Sequence, residues 1–160
     1  MQKSLDENEI FKEILLSTKN IAMVGASSIK IDENPKNIKR KPSVIVMKHL
    51  QEFGYRVIPV NPSSEGKEIL GELTVSKLND IKTPVDLVNV FRPSNEAAEI
   101  ATQAVKIGAK VLWLQFGIDN KEARDIAEAG NIIYVANRCI KQEYQRIFLK
   151  SYPVFPVLKN

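Results

Sequence analysis

Ile21-Ala-Met-Val-Gly-Ala-Ser-Ser28 reads as a short buried strand running straight into a turn of small residues. Gly25 permits backbone angles closed to other residues, and Ala26 and Ser27 keep side chains out of the way of an approaching ligand. In an α/β chain, a turn of this kind after the first strand lies where a nucleotide's phosphates sit, over free backbone N–H groups. Only the first glycine of the Gly-x-Gly-x-x-Gly dinucleotide fingerprint is present, so the turn is not an NAD signature.

Outward from this turn, strand-like runs alternate with helical patterns. The strands are expected at residues 20–24, 56–60, 87–91, 110–115 and 132–136. They are near-continuous runs of Val, Ile and Leu, as in a parallel sheet covered on both faces. After Pro42, the residues Val46, Leu50 and Phe53 share one helix face, and Gly54 stops the helix. Ser94 is placed to cap a helix with an apolar face of Ala97, Ile100, Ala101, Ala104 and Ile107, closed by Gly108. Asp119 with Glu122 resembles a capping box, and Gly130 ends that helix. Further helices are expected near residues 9–17 and 140–150. Repeated β-α-β units predict an α/β fold: a doubly wound, Rossmann-like parallel sheet of about five main strands with helices on both faces. The first strand should be central, with ligands beyond the strands' carboxyl ends.

With 160 residues, 44% hydrophobic and 26% charged, the chain is expected to form one domain with a sizeable core. That core covers about residues 19–147, followed by a tail over residues 151–160. The longest apolar runs are strand-sized, so no transmembrane helix is expected, and the polar start lacks a signal peptide's apolar region. The single cysteine, Cys139, leaves no partner for an intramolecular disulfide and fits a reducing cytoplasm. One histidine and one cysteine give little scope for zinc. The net charge of +4 is unevenly spread. Lys30, Lys36, Lys39, Arg40 and Lys41 crowd one segment, opposed there by Asp32 and Glu33. Alone such a run is a solvated loop; beside a phosphate turn it is an anion site. There is no basic helix or aromatic ladder for nucleic acid. The apolar, proline-broken tail is expected to pack on the surface, on a second copy or on a partner protein.

The rim beyond the strands carries Gly25 to Ser28, Asn61-Pro62, Phe91-Arg92, Trp113 with Gln115 and Gly117, and Arg138-Cys139. A NAD site needs an acid after strand two for the ribose hydroxyls; Asn61 supplies none, although Asn-Pro is also a plain turn. An NADP site stays open, because the basic segment can hold a 2′-phosphate. Arg92 meets either an anion or a carboxylate of the fold, and Arg138 allows the same two readings. Trp113 is a rim or a core residue, and His49 a surface one. The rim shows no Ser/His/Asp arrangement, Walker lysine or paired carboxylates, so it suits holding an anionic nucleotide rather than reacting with it.

Taken in order, Val24-Gly-Ala-Ser27, Lys41-Pro-Ser43, Gly54-Tyr-Arg-Val-Ile-Pro-Val-Asn-Pro62, Glu68-Ile-Leu-Gly71, Asp86-Leu-Val88, Val90-Phe-Arg92, Trp113-Leu-Gln115 with Gly117, and Arg138-Cys139 carry a resemblance. The chain resembles the CoA-binding domain family of small stand-alone bacterial and archaeal proteins, similar in fold to the CoA-binding domain of succinyl-CoA synthetase's α subunit. The resemblance implies a coenzyme A or acyl-CoA ligand. CoA's pyrophosphate would meet Gly25, Ala26 and Ser27, with Ser28 also in the binding set, and Lys41 or Arg40 would meet phosphate, with Pro42 and Ser43 beside them. Asn61 and Pro62 would line the adenosine side next to Phe91 and Arg92. Trp113, Gln115, Gly117, Arg138 and Cys139 would complete the rim. The chain departs from the family at Lys41, usually Arg; at Asn137, commonly Asp; at Tyr144 after Glu143, often His; and in a longer loop over residues 29–40. CoA's additional 3′-phosphate suits the basic cluster. The expected function is non-catalytic CoA or acyl-CoA binding. The alternatives are an NADP-dependent oxidoreductase, an acyl-CoA ligase-related subunit, or a ligand-sensing regulator. Cys139 is further expected to form a mixed disulfide with CoA's thiol, its thiolate favoured by Arg138 and by the start of the next helix.

Overall fold

The computed structural model describes residues 6–27 and 42–149. The chain runs through α1 (Glu7–Ser17), β1 (Asn20–Val24), α2 (Pro42–Glu52) and β2 (Arg56–Val60), then a small hairpin of β3 (Glu68–Ile69) and β4 (Glu72–Leu73). It continues as β5 (Leu87–Val90), α3 (Ala97–Lys106), β6 (Val111–Leu114), α4 (Lys121–Ala129), β7 (Ile133–Val135) and α5 (Ile140–Tyr144), which widens into a π-type turn over Gln145–Leu149. The main sheet has the order β2-β1-β5-β6-β7 and every pairing in it is parallel. This is the doubly wound sheet expected from the Val/Ile/Leu runs.

Alternate residues of each strand feed two separate cores. Ile21, Met23, Val57, Leu87, Val111 and Trp113 pack under α1, α2 and α5. Ala22, Val24, Val88, Val90, Leu112 and Leu114 pack under α3 and α4 with Leu78 and Val85. Asn89 interrupts the first set: the register Met23–Asn89–Trp113 puts a fully buried amide in the middle of the sheet.

Local starts and stops differ from expectation at three places. Ser94 opens a 3₁₀ turn, and α3 begins three residues later with no side-chain cap. Ser94 Oγ instead accepts from the Asp119 N–H at 3.2 Å. Asn120, not Asp119, caps α4, its Oδ1 accepting from the Ala123 N–H at 2.8 Å, while Asp119 accepts from the Tyr134 hydroxyl. The β3–β4 hairpin was not expected; strands of two residues leave no readable periodicity. Among the described residues no helix is long and apolar enough to cross a membrane.

Candidate functional site

The sheet reverses its winding between β1 and β5, which are neighbours in space and lie on opposite sides of the switch. In such sheets the crevice beyond that pair of strands is where ligands bind. Gly25 stands at the end of β1, and Phe91-Arg92 at the end of β5. The two touch: a Cβ on Gly25 would lie 2.8 Å from Arg92 Cδ and 3.0 Å from the Phe91 carbonyl oxygen, and the Gly25 φ is +96°. Glycine is required here by backbone angle and by space together.

The turn's N–H groups are less free than its composition suggests. The Gly25 N–H donates to the Val60 carbonyl at 2.8 Å, extending the β1–β2 ladder by one bond. The Ser27 N–H donates to Ser43 Oγ at 3.2 Å. The Ala26 N–H has no acceptor among the described residues. Asn61, 6% exposed, donates from Nδ2 to the Ala26 carbonyl at 2.9 Å and accepts at Oδ1 from the Ser63 N–H and hydroxyl. Asn61 and Ser43 therefore hold the turn in shape, with their own polar atoms engaged by the protein. Ser28, Arg40 and Lys41, with the rest of the basic cluster, lie outside the described residues.

Two clefts lie at this rim. One, of about 340 Å³, is lined by Gly25, Asn61, Pro62 and Arg92, joined by Ser63, Ser76, Lys77, Glu96, Glu99 and Gln103. Arg92 is held in a bidentate pair with Glu96, at 2.9 and 2.8 Å. The hydrogen bond to Glu96 pushes the guanidinium further up and holds the Glu96 carboxyl below its ordinary range. Both side chains are close to half exposed, 41% and 44%, so the pair is open to exchange with a ligand's anion. Ser76 and Lys77 escaped the sequence reading because Val75 reaches the rim through a single parallel bridge to Val60. One β-branched residue after a hairpin is too short a signal.

The second cleft, of about 550 Å³, brings together Pro42, Phe91, Gln115 and Cys139 with Ile45, Val46, Phe116 and Ile118. Gln115 Oε1 accepts from Asn89 Nδ2 at 3.2 Å and from the Ile140 N–H at 3.4 Å. Trp113, Gly117 and Arg138 line neither cleft. Trp113 is fully buried against Phe11, ring centres 5.1 Å apart, and its indole N–H donates to the Arg138 carbonyl at 2.8 Å. The Gly117 N–H donates to Asn137 Oδ1 at 2.7 Å, tying two rim loops together. Of the two readings open to Arg138, the structure shows a carboxylate of the fold as its partner. Its guanidinium turns away from the rim to α1, where Nη2 lies 2.8 and 2.9 Å from the Glu7 carboxylate oxygens. That bond pushes its pKa up further, and the cation is engaged by Glu7 rather than set beside Cys139. Among the described residues no three histidine, cysteine or acidic side chains are grouped to hold a metal ion.

Known proteins share this fold. The family model described as the CoA binding domain matches residues 19–145. The uncharacterized protein YneT of Bacillus subtilis is 38% identical over 130 residues, covering 81% of this chain and 88% of that protein. A hypothetical protein from Pyrococcus horikoshii superposes with a TM-score of 0.78 at 38% identity, covering 92% of this chain and 99% of its own. The cell-free ID.343 protein of Thermus thermophilus gives 0.77 at 34% identity, covering 89% and 100%. The chain belongs to the CoA binding domain family.

Proposed function

We propose that the chain binds coenzyme A or an acyl-CoA as a ligand and makes or breaks no bond in it. The observation that carries this reading is the pair of clefts at the rim. One side is a cleft where Arg92 and Lys77 stand with Glu96 and Glu99; the other is a cleft lined by Phe91 whose one charged residue among the described ones is Lys141. A ligand with an anionic nucleotide at one end and an uncharged thiol arm at the other matches both. Arg92 then exchanges Glu96 for phosphate, and Gly25 lets the backbone approach the pyrophosphate. Asn61 argues against a NAD-type ligand twice over: it is no acid, and its amide is committed to Ala26 and Ser63.

Ser27 and Pro42, the described residues on either side of the basic segment, both stand at this rim. Arg40 and Lys41 are assigned to phosphate by resemblance to the family. Calorimetric titration with CoA, NAD and NADP tests the reading. Saturable heat with CoA alone is the expected result; no heat with CoA and saturable heat with NADP would overturn it.

A further inference from the structure

The apolar cleft has a composition that a bare thiol does not need. Ile45, Val46, Phe91, Phe116 and Ile118 wall it, no carboxylate lines it, and Lys141 is its one charged residue among the described ones. Phe116 stands 74% exposed at its mouth. An exposed aromatic ring beside a concave apolar wall is a surface awaiting an apolar group. The cleft's size lies within the range of small-molecule sites.

Gln115, Lys141 and Gln142 supply its polar side chains, and Gln115 is the buried one. Gln115 is 7% exposed and lines the cleft. Two N–H donors, from Asn89 and Ile140, converge on Oε1 and so fix which way the amide is turned. Nε2 is left on the cleft side with no acceptor among the described residues. A ligand carbonyl in the cleft would accept from it.

We propose that this cleft takes the acyl group of a short, uncharged aliphatic thioester of CoA, with Gln115 Nε2 donating to the thioester carbonyl. The inference rests on the CoA reading above and adds the acyl class to it. Burying a methylene contributes about 0.8 kcal/mol, or about fourfold in affinity. Butyryl-CoA, two methylenes longer than acetyl-CoA, should therefore bind about 15-fold more tightly.

The test is calorimetry on the full chain with CoA, acetyl-CoA, butyryl-CoA and succinyl-CoA. Affinity should rise from CoA through acetyl-CoA to butyryl-CoA, with succinyl-CoA weaker than butyryl-CoA. Gln115→Met keeps the side chain's length and removes the donor; it should cut the preference for butyryl-CoA over CoA about fivefold. The wild-type series stands by itself if that variant folds poorly. Equal affinity for CoA and butyryl-CoA overturns the acyl site and leaves CoA binding intact. A preference for succinyl-CoA also overturns it, pointing to Lys141 and an anionic acyl group. No binding of any of the four removes the CoA reading and this inference together.

Discussion

Alanine at position 25 separates two costs that a glycine can hide. The Gly25 φ of +96° penalises any side chain by about 1–2 kcal/mol, whatever the space around it. The added Cβ would also meet the Phe91 carbonyl oxygen at 3.0 Å and carbon at 3.1 Å. Those atoms belong to backbone anchored in the sheet, since the Phe91 N–H donates to the Val24 carbonyl at 2.8 Å. Arg92 Cδ, at 2.8 Å, sits on a flexible side chain and can move aside. Forcing β5 outward adds a cost of about 1–3 kcal/mol, the range for overpacking. Gly25→Ala should therefore lose about 3 kcal/mol, lowering Tm by about 6–12 °C in a chain of this size. Gly54→Ala is the control, because its φ is +106° and nothing lies within 4 Å of an added Cβ. It carries the angle cost alone, about 1.5 kcal/mol and about 3–6 °C. Thermal and denaturant unfolding read both, and calorimetry should show CoA binding weakened by the first substitution and untouched by the second. Equal Tm losses would refute the reasoning, since the excess at Gly25 is the contact with β5.

Arg92→Ala should weaken CoA binding by about 1.5 kcal/mol, near tenfold, with Tm almost unchanged. Normal binding with a large drop in Tm would make Arg92 a purely structural partner of Glu96. Glu96→Gln removes the competing carboxylate and should tighten CoA binding severalfold; weaker binding would show that Glu96 itself holds the ligand. The Glu96 carboxyl is held low in the folded state, so the pair's small contribution to stability is present above the ordinary carboxylate range. It fades as pH falls through the lowered pKa, and acid titrations of stability should show this limb reduced in Glu96→Gln. Leu70→Asn should stabilise by about 1 kcal/mol, because Leu70 has φ +50° and shares a two-residue hairpin loop with Gly71 at +87°. A fall in Tm would mean that the half-exposed Leu70 side chain contributes more than its backbone angle costs. Incubation with CoA disulfide should add one CoA to the protein: the Cys139 thiolate attacks one sulfur, a protein–CoA disulfide forms, and CoA thiolate leaves. Intact mass without that gain, or a gain that persists in Cys139→Ser, would show Cys139 to be a packing residue.

The sheet was legible because each strand is long enough to declare itself. The runs at 20–24, 56–60, 87–91, 110–115 and 132–136 all became strands, trimmed by at most a residue at either end. The switch point followed, and with it the juxtaposition of Gly25, Asn61 and Arg92. Polar satisfaction was not legible. That Ser43 engages the Ser27 N–H depends on how α2 packs, and that Arg138 turns to Glu7 depends on a contact 131 residues away in sequence. A cation beside a strand end advertises charge but not direction. Asn120 displaced Asp119 as a cap for a similar reason: both types suit the position, and the Tyr134 hydroxyl claims Asp119.

Trp113 gives the molecule an optical handle. It is the chain's one tryptophan, sealed from solvent, so its emission should be blue in the folded state and shift red on unfolding. Its indole N–H is bonded to the carbonyl immediately before Cys139, and Phe11 of α1 lies against its ring. Emission therefore reports on the junction between α1 and the floor beneath the apolar cleft. A ligand end that displaces Cys139 would tug on that hydrogen bond, whereas one confined to the Arg92 cleft would leave the fluorophore silent. Intrinsic fluorescence can thus tell which end of a bound molecule has arrived, without a label.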